Sequence, residues 1–306
     1  MRVQRDLTSA PGSPVALTIG NFDGVHRGHQ AMLARLVEAA EDLRLPPAVL
    51  TFDPHPREYF SPSNAPARLS TLRSKLALFR AYGVAITFVA RFDARLAART
   101  ADEFVTDILE RRLATRWLLV GEDFRFGRGR TGDLAFLRSA ARQFSVEAMG
   151  TVEVDGRRAS SSAVRDALAC GDLDLAAALL GRSYTITGHV AHGDKLGRTL
   201  GFPTANLPLR HPPALTGIFA VCVHGLPGGP RAGVASVGVR PTITTGGRPI
   251  AEAYLFDFDE AIYGRLITME FLRKLRDEAR FSDVTALTRQ IGRDVDDARE
   301  YFAARG

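Results

Sequence analysis

"TIGNFDGVHRGHQ", Thr18 to Gln30, decides the first half of the fold. An apolar run ends at a glycine, a short polar turn follows, and helical spacing resumes near His29. A strand that passes through a Gly-rich turn into a helix leaves the N–H groups of the first turn facing outward. With the helix dipole behind them, those groups make an anion site. His26 and His29 add two donors to the same space, and Gly28 removes a Cβ that would stand between a phosphate and the backbone. Transfer of a nucleotidyl group needs such positive potential over the α-phosphate as charge builds. One histidine alone would read as a loop or capping group; the whole stretch reads as a site.

Outward from this turn, strand-like and helix-like stretches alternate over the first 180 residues or so. "PVALTIG", "PAVLTF", "VAITFVARF" and "WLLVGEDF" are short, apolar and rich in β-branched or aromatic residues, as strands are. "HQAMLARLVEAAEDLRL", "LSTLRSKLALFRAYG" and "ADEFVTDILERRLATR" carry helical spacing, with Met32, Leu33, Leu36 and Val37 on one face and Gly83 closing the second helix. "SSSAVRDALACGDLDLAAALLG" ends this half, its serine run placed to cap a helix. The alternation predicts a Rossmann-like α/β domain with a mostly parallel sheet.

After Gly181 the texture changes. "YTITGHVAHG", "GIFAVCVHGL", "AGVASVGV", "IAEAYLFDF" and "RLITMEFL" are strand candidates separated by Gly/Pro turns. Helical spacing returns at the end, through Val284, Leu287, Ile291, Val295, Ala298 and Phe302. These predict a small six-stranded-type β-barrel closed by a terminal helix. The expected domains are residues 1–182 and 183–306.

Composition narrows the chemistry. The chain has 306 residues, 45% hydrophobic and 24% charged, with a net charge of +6 that favours anionic partners. No apolar run approaches the roughly 20 residues of a spanning helix, and the N-terminus lacks a signal-peptide core, so the cytoplasm is the expected location. Cys170 and Cys222 lack paired-ligand spacing and read as thiols of a reducing compartment. The lysines are Lys75, Lys195 and Lys274, and none follows a glycine, which excludes a Walker A loop. Any phosphate chemistry here uses another cradle.

"His26-Arg27-Gly28-His29" resembles the HxGH motif of the nucleotidyltransferase superfamily. The wider "GNFDGVHRGHQ" resembles prokaryotic FAD synthetases, the bifunctional riboflavin kinase/FMN adenylyltransferase family. "TFDPHP" (Thr51–Pro56), "VGEDFRFGRGRTGD" (Val120–Asp133) and "SSSAVRDAL" (Ser160–Leu168) follow in the family's order and approximate spacing. The resemblance implies that Gly20, Asn21, Phe22, Asp23, His26, Gly28 and His29 meet ATP. Asp23 then either orients His26 or sits near Mg²⁺. Ser161, Ser162 and Arg165 become a phosphate clamp, which suits serines at a helix start with an arginine one turn in. Ala159 and Ser162 depart mildly from the family's usual residues. Asp123, Phe124, Phe126 and Arg130 become candidates for the flavin and adenine pockets, aromatic faces beside arginines being suited to a flat ring bearing phosphate. A surface hairpin around core phenylalanines explains that stretch equally well.

"GDKLGRTLGFPTANL" (Gly193–Leu207) poses the second question. Thr204 and Asn206 alternate, so an extended chain puts both on one face. A hydroxyl and an amide oxygen are hard ligands suited to Mg²⁺ brought in with ATP. Alone, the segment reads as a Gly/Pro turn with a hydrogen-bonded Asn. "GRTLGFPTANL", however, closely resembles the PTAN motif of riboflavin kinases, and "GIFAV" (Gly217–Val221), "GVRPT" (Gly238–Thr242) and "AEAYLFDF" (Ala251–Phe258) follow in family order. The resemblance implies phosphate contacts at Gly193, Gly197, Arg198, Gly201 and Pro203, a metal grip at Thr204 and Asn206, and a catalytic base at Glu252. Ala253 and Tyr254 replace the family's usual branched residue and histidine. Arg276 is a further candidate contact to flavin or nucleotide.

The expected function is therefore phosphorylation of riboflavin by ATP to FMN and adenylylation of FMN to FAD, with Mg²⁺ escorting ATP in both steps. Small-molecule partners are expected: riboflavin, FMN, FAD and ATP, with no nucleic acid and no membrane. Two rivals stand beside this reading. A class I aminoacyl-tRNA synthetase fragment shares the histidine–glycine geometry but needs a lysine-rich loop, and no segment here holds two nearby lysines. A monofunctional FMN adenylyltransferase with a non-catalytic, nucleic-acid-binding basic barrel would instead want exposed aromatics among Lys and Arg.

Overall fold

The computed structural model describes residues 1–5, 7, 12–193, 200–239 and 249–305. Contacts divide the chain into two compact units: residues 1–66 with 70–160, and residues 67–69 with 161–306.

The first unit is built on strands β1 (Arg2–Gln4), β2 (Val15–Ile19), β3 (Pro47–Asp53), β4 (Ile86–Arg91), β5 (Thr115–Gly121) and β6 (Ser145–Met149), with a short hairpin of β7 (Glu153–Val154) and β8 (Arg157–Arg158). The six form one parallel sheet in the order β1-β4-β3-β2-β5-β6. The helices between them are α1 (Arg27–Leu43), α2 (Pro56–Phe60), α3 (Leu72–Ala81), α4 (Ala94–Ala97), α5 (Ala101–Glu103) and α6 (Leu134–Ala140). Helices on both faces bury the whole of β2: Val15, Leu17 and Ile19 face one core, Ala16 the other. Strand order reverses between β2 and β5, which opens a crevice beyond the carboxyl ends of those two strands.

After α5 the chain continues in a π-wound turn, Phe104–Arg112, where ordinary helical spacing was predicted. Wider winding brings residue i+5 back over residue i. Arg112, as well as Arg99 and Arg111, thereby reaches the buried Asp107 carboxylate. Burial would raise that carboxyl, but the Arg111 and Arg112 guanidiniums hold it below its ordinary range.

The second unit opens with α7 (Ser161–Cys170) and α8 (Leu173–Leu180). The single helical stretch expected there breaks at Gly171, which adopts φ +80°, and Asp172 caps the new helix. Then come β9 (Tyr184–His189), β10 (Thr204–Pro208), β11 (Gly217–His224), β12 (Arg231–Val239), β13 (Pro249–Leu255), β14 (Leu266–Arg276) and α9 (Val284–Ala303). These strands form an antiparallel sheet in the order β10-β13-β12-β11-β14-β9. Among the described residues the two edges meet at one bridge, where Ala191 N–H donates to the Asn206 carbonyl at 2.9 Å. That bridge curls the sheet toward a closed barrel.

Helix α9 lies on the outside of this sheet. Val295, Ala298 and Tyr301 pack against Ala220, Val234 and Phe256, with Ile291 and Phe302 at the margin. Asp294, 3% exposed, takes both arms of Arg276 at 2.7 and 2.6 Å, joining α9 to β14. Asp294→Ala leaves Arg276 without its carboxylate partner, so the second unit's unfolding transition is expected to lose about 2–3 kcal/mol in urea. A loss under about 0.5 kcal/mol would mean the pair acts as a surface pair does.

Candidate active sites

The first site is made by an unusually wound turn. Phe22, Gly24 and Val25 adopt φ of +50°, +79° and +44°. Gly24 does so without strain, whereas Phe22 and β-branched Val25 do so at about 1–3 kcal/mol each. Burial holds them: both side chains are fully enclosed, and Gln30 Nε2 donates to the Val25 carbonyl at 2.9 Å. Asp23 fastens the turn from the other side, accepting from the Ser70 N–H at 3.0 Å and hydroxyl at 3.1 Å, and the Gly24 N–H donates to the Ser70 hydroxyl at 3.0 Å. Asp23 is thus built into the frame of the turn.

His26 is the N-cap of α1 with no capping hydrogen bond from its ring. Its imidazole stacks on His29 with centroids 3.7 Å apart, and Phe22 packs on His29 at 4.8 Å. Sequence reading takes Gly28 as room for a phosphate. The structure fills that room with protein: a Cβ there would stand 3.1 Å from the Ala159 carbonyl and 3.2 Å from the His26 ring. Gly28 admits the His26 imidazole. Gly20 acts likewise toward Phe22, 3.0 Å from where a Cβ would sit.

Sequence reasoning missed Lys75. This side chain, 7% exposed, donates from Nζ to the Asn21 carbonyl at 2.6 Å and lies 3.4 Å from the Thr51 hydroxyl. Its only sequence signal is a lysine on the inward face of a helix. Burial holds the His29 imidazole well below its ordinary value, and the positive charges of His26 and Lys75 lower it further. His29 is therefore neutral at pH 7, and its Nδ1 is buried with no hydrogen-bond partner among the described residues. The Asn21 Oδ1 is in the same condition.

The loop after β5 leaves the sheet beside this turn. Asp123 pairs with Arg158 at 2.6 Å, both exposed. Phe124 stacks on Phe126, centroids 5.6 Å apart. Phe126 itself is 7% exposed, packed by Phe104 and Phe136, and so belongs to the core and supports Phe124 from below. Arg130 is exposed, with φ +60°. Ser161 and Ser162 begin α7, and Arg165 Nε donates to the Ala67 carbonyl at 2.6 Å.

In the second unit, Thr204 and Asn206 do lie on one face of β10. Asn206 pairs directly with Glu252 on β13, and Glu252 pairs with Ser236 on β12, so all three point the same way. Asn206 Nδ2 donates to the Thr204 carbonyl at 3.1 Å, while Oδ1 is buried and has no partner among the described residues. Gly193 lies against this amide: a Cβ would stand 2.7 to 2.8 Å from it. Gly201 and Pro203 are exposed before β10, and Gly197 and Arg198 lie outside the described residues. Arg276, expected near flavin or nucleotide, has its guanidinium on Asp294.

A second carboxyl here escaped the sequence. Glu278 covers Gly238, where a Cβ would come within 2.5 Å of its carboxyl group. Gly238 is two residues from Ser236, so Glu278 shares the face that carries Glu252. Burial raises the Glu278 carboxyl, partly offset by Arg276.

The comparisons with known proteins agree in both halves. A family model described as FAD synthetase matches residues 9–163, and one described as riboflavin kinase matches residues 180–302. The chain belongs to the bifunctional riboflavin kinase/FMN adenylyltransferase family. A relative of that name from Escherichia coli K12 is 46% identical over 97% of this chain and 96% of its own. Another, from Pseudomonas fluorescens, is 49% identical over 94% and 92%. Among solved structures, one titled a macrolide-efflux protein from Streptococcus pneumoniae superposes with a TM-score of 0.79, at 26% identity over 97% of this chain and 98% of that one. Among the described residues no helix is long and apolar enough to cross a membrane.

Replacing Lys75 by Met removes one of the charges that hold His29 neutral. The His29 imidazole is expected to titrate at higher pH in Lys75→Met, read by NMR of the ring, and an unchanged titration would contradict the assignment. The unfolded chain takes up this proton near the ordinary 6.5 while the folded one resists it. Stability of the first unit is therefore lost as pH falls through that value, and less steeply in the variant.

Proposed function

We infer that this chain makes FAD from riboflavin in two steps, in separate sites. The second unit transfers the γ-phosphoryl group of ATP to the riboflavin 5′-hydroxyl, giving FMN. The first unit transfers AMP from a second ATP to the FMN phosphate, giving FAD and pyrophosphate. The observation that carries this reading is the pair of dissimilar polar clusters, each where the family places chemistry. One is a stacked histidine pair with a buried lysine at a strand-order reversal. The other is a Thr–Asn–Glu row on a barrel wall. The division between the two activities is placed at residue 182/183, beside the start of the riboflavin kinase match at residue 180, although α7 and α8 pack with the second unit.

In the first step Glu252 accepts the hydroxyl proton as the flavin oxygen attacks phosphorus. The second site fits Mg²⁺: Thr204 and Asn206 would hold the ion, which would supply charge neutralisation at the ATP phosphates. The Asn206 Oδ1 is a buried, unsatisfied hard oxygen, and the Thr204 hydroxyl stands on the same face. Gly193 brings the backbone close to that amide, and Gly197, Arg198, Gly201 and Pro203 carry the phosphate cradle.

In the second step the attacking group is the FMN phosphate, so no protein nucleophile is needed. His29, neutral beforehand, donates a ring N–H to phosphate as negative charge builds, and His26 does so beside it. Lys75 supplies fixed positive potential from behind the turn. Asn21 lies at the ATP phosphates, with Gly20, Phe22 and Asp23 holding the turn. Phe124, with Asp123 and Arg130, faces the flavin. A cytoplasmic location suits an enzyme of this kind.

His29→Ala is expected to cut FAD formation from FMN by about 10²–10³-fold and leave riboflavin phosphorylation within twofold. Glu252→Gln is expected to cut phosphorylation by about 10²–10⁴-fold and spare adenylylation of supplied FMN. Either change abolishing both activities in a folded protein would overturn the two-site reading. Should Glu278→Gln, rather than Glu252→Gln, stop phosphorylation, the base would be reassigned to Glu278.

A further inference from the structure

Away from both sites, the outer face of the second unit's sheet carries a compact group of metal-ligating side chains. Cys222 and His224 are two apart on β11, so they project together. Glu270 on β14 is the direct cross-strand partner of Cys222. One potential ligand atom from each, the Cys222 Sγ, a His224 ring nitrogen and a Glu270 carboxylate oxygen, lies within 4.8 Å of the other two. No other such group of three occurs among the described residues.

We propose that Cys222, His224 and Glu270 form a binding site for a thiophilic divalent cation of the Zn²⁺ type. Thiolate, imidazole and carboxylate together are the borderline-soft set that Zn²⁺ selects and that Mg²⁺ does not. Three protein ligands also leave a fourth tetrahedral position for water. Tetrahedral bond lengths put ligand atoms about 3.3–3.6 Å apart, so side-chain rotation closes the remaining distance on two hydrogen-bonded strands that are already fixed. All three groups are reachable from solvent, the His224 and Glu270 side chains being 43% and 27% exposed.

Without a cation the same groups satisfy one another. His224 Nε2 lies 2.8 Å from Glu270 Oε2. Burial, and then the Glu270 charge, push the Cys222 thiol up, so it stays protonated. Binding breaks the His224–Glu270 hydrogen bond. The thiol proton passes to solvent, and the thiolate, an imidazole nitrogen and a carboxylate oxygen each give an electron pair to the ion. Nothing is oxidised or reduced. The ion would tie β11 to β14.

The cluster is separate from the kinase site. Cys222 pairs with Ala232 on β12, whereas Glu252 pairs with Ser236, four residues further along that strand, or roughly 13 Å.

The test is titration of the metal-free full-length chain with Co²⁺ alone, which reports thiolate ligation by a near-ultraviolet charge-transfer band. One equivalent is expected to produce the band, and one equivalent of Zn²⁺ to abolish it. Cys170→Ala, which removes the other thiol, is expected to keep it. Cys222→Ser is expected to lose it, and His224→Gln and Glu270→Gln to weaken Co²⁺ binding at least tenfold. The two latter variants keep the test open if Cys222→Ser fails to fold. Absence of the band in the wild-type chain would overturn the proposal, as would its persistence in Cys222→Ser, its loss in Cys170→Ala, or Co²⁺ affinity unchanged in the His224 and Glu270 variants.

Discussion

The first unit depends on a backbone that is wound the wrong way in three places. Phe22 and Val25 in the left-handed region would relax if their side chains were free, and it is their complete burial that keeps them there. That winding carries the chain from the end of β2 into α1 within a few residues. It also leaves His26 with room to stack on His29, because Gly28 has no Cβ. Lys75 braces the turn by donating to the Asn21 carbonyl, which the Thr51 hydroxyl also reaches. The strain, the imidazole pair and the buried ammonium form one construction, set where the strand order reverses and the sheet opens.

The second unit solves a different problem with the same economy. An antiparallel sheet has two edges, and here they meet at a bridge whose partner on β10 is Asn206. The backbone of Asn206 therefore helps close the barrel while its side chain turns outward beside Glu252. Helix α9 covers the neighbouring apolar part of that outer face and is locked by Asp294 and Arg276. Neither unit relies on a glycine–lysine loop, which the placement of the three lysines already excludes.

The periodicities of the sequence reveal both sheets and the terminal helix, because the fold uses ordinary rules there: buried parallel strands, alternating barrel strands, one apolar helix stripe. Short edge strands β1 and β6 are invisible to that reading, since each is few residues long and half exposed. The π-wound turn escapes because it is decided by three arginines converging on Asp107. At the sites, glycine was legible as a need for space, yet what fills the space at Gly28 is the protein's own histidine. Phe126 carried an aromatic signal that serves the core, and Arg276 a positive signal that serves helix docking. Lys75 and Glu278 were silent because their importance lies in tertiary burial, which no local pattern records.

The central claim is that two separate pockets act in sequence on one flavin. It is tested most directly by incubating the purified chain with riboflavin, Mg²⁺ and ATP and separating flavins and nucleotides over time. The account predicts FMN rising first and then FAD, with one ADP and one pyrophosphate formed per FAD. Formation of no FMN from riboflavin, or FMN that accumulates and is never adenylylated even when supplied in excess, would contradict it.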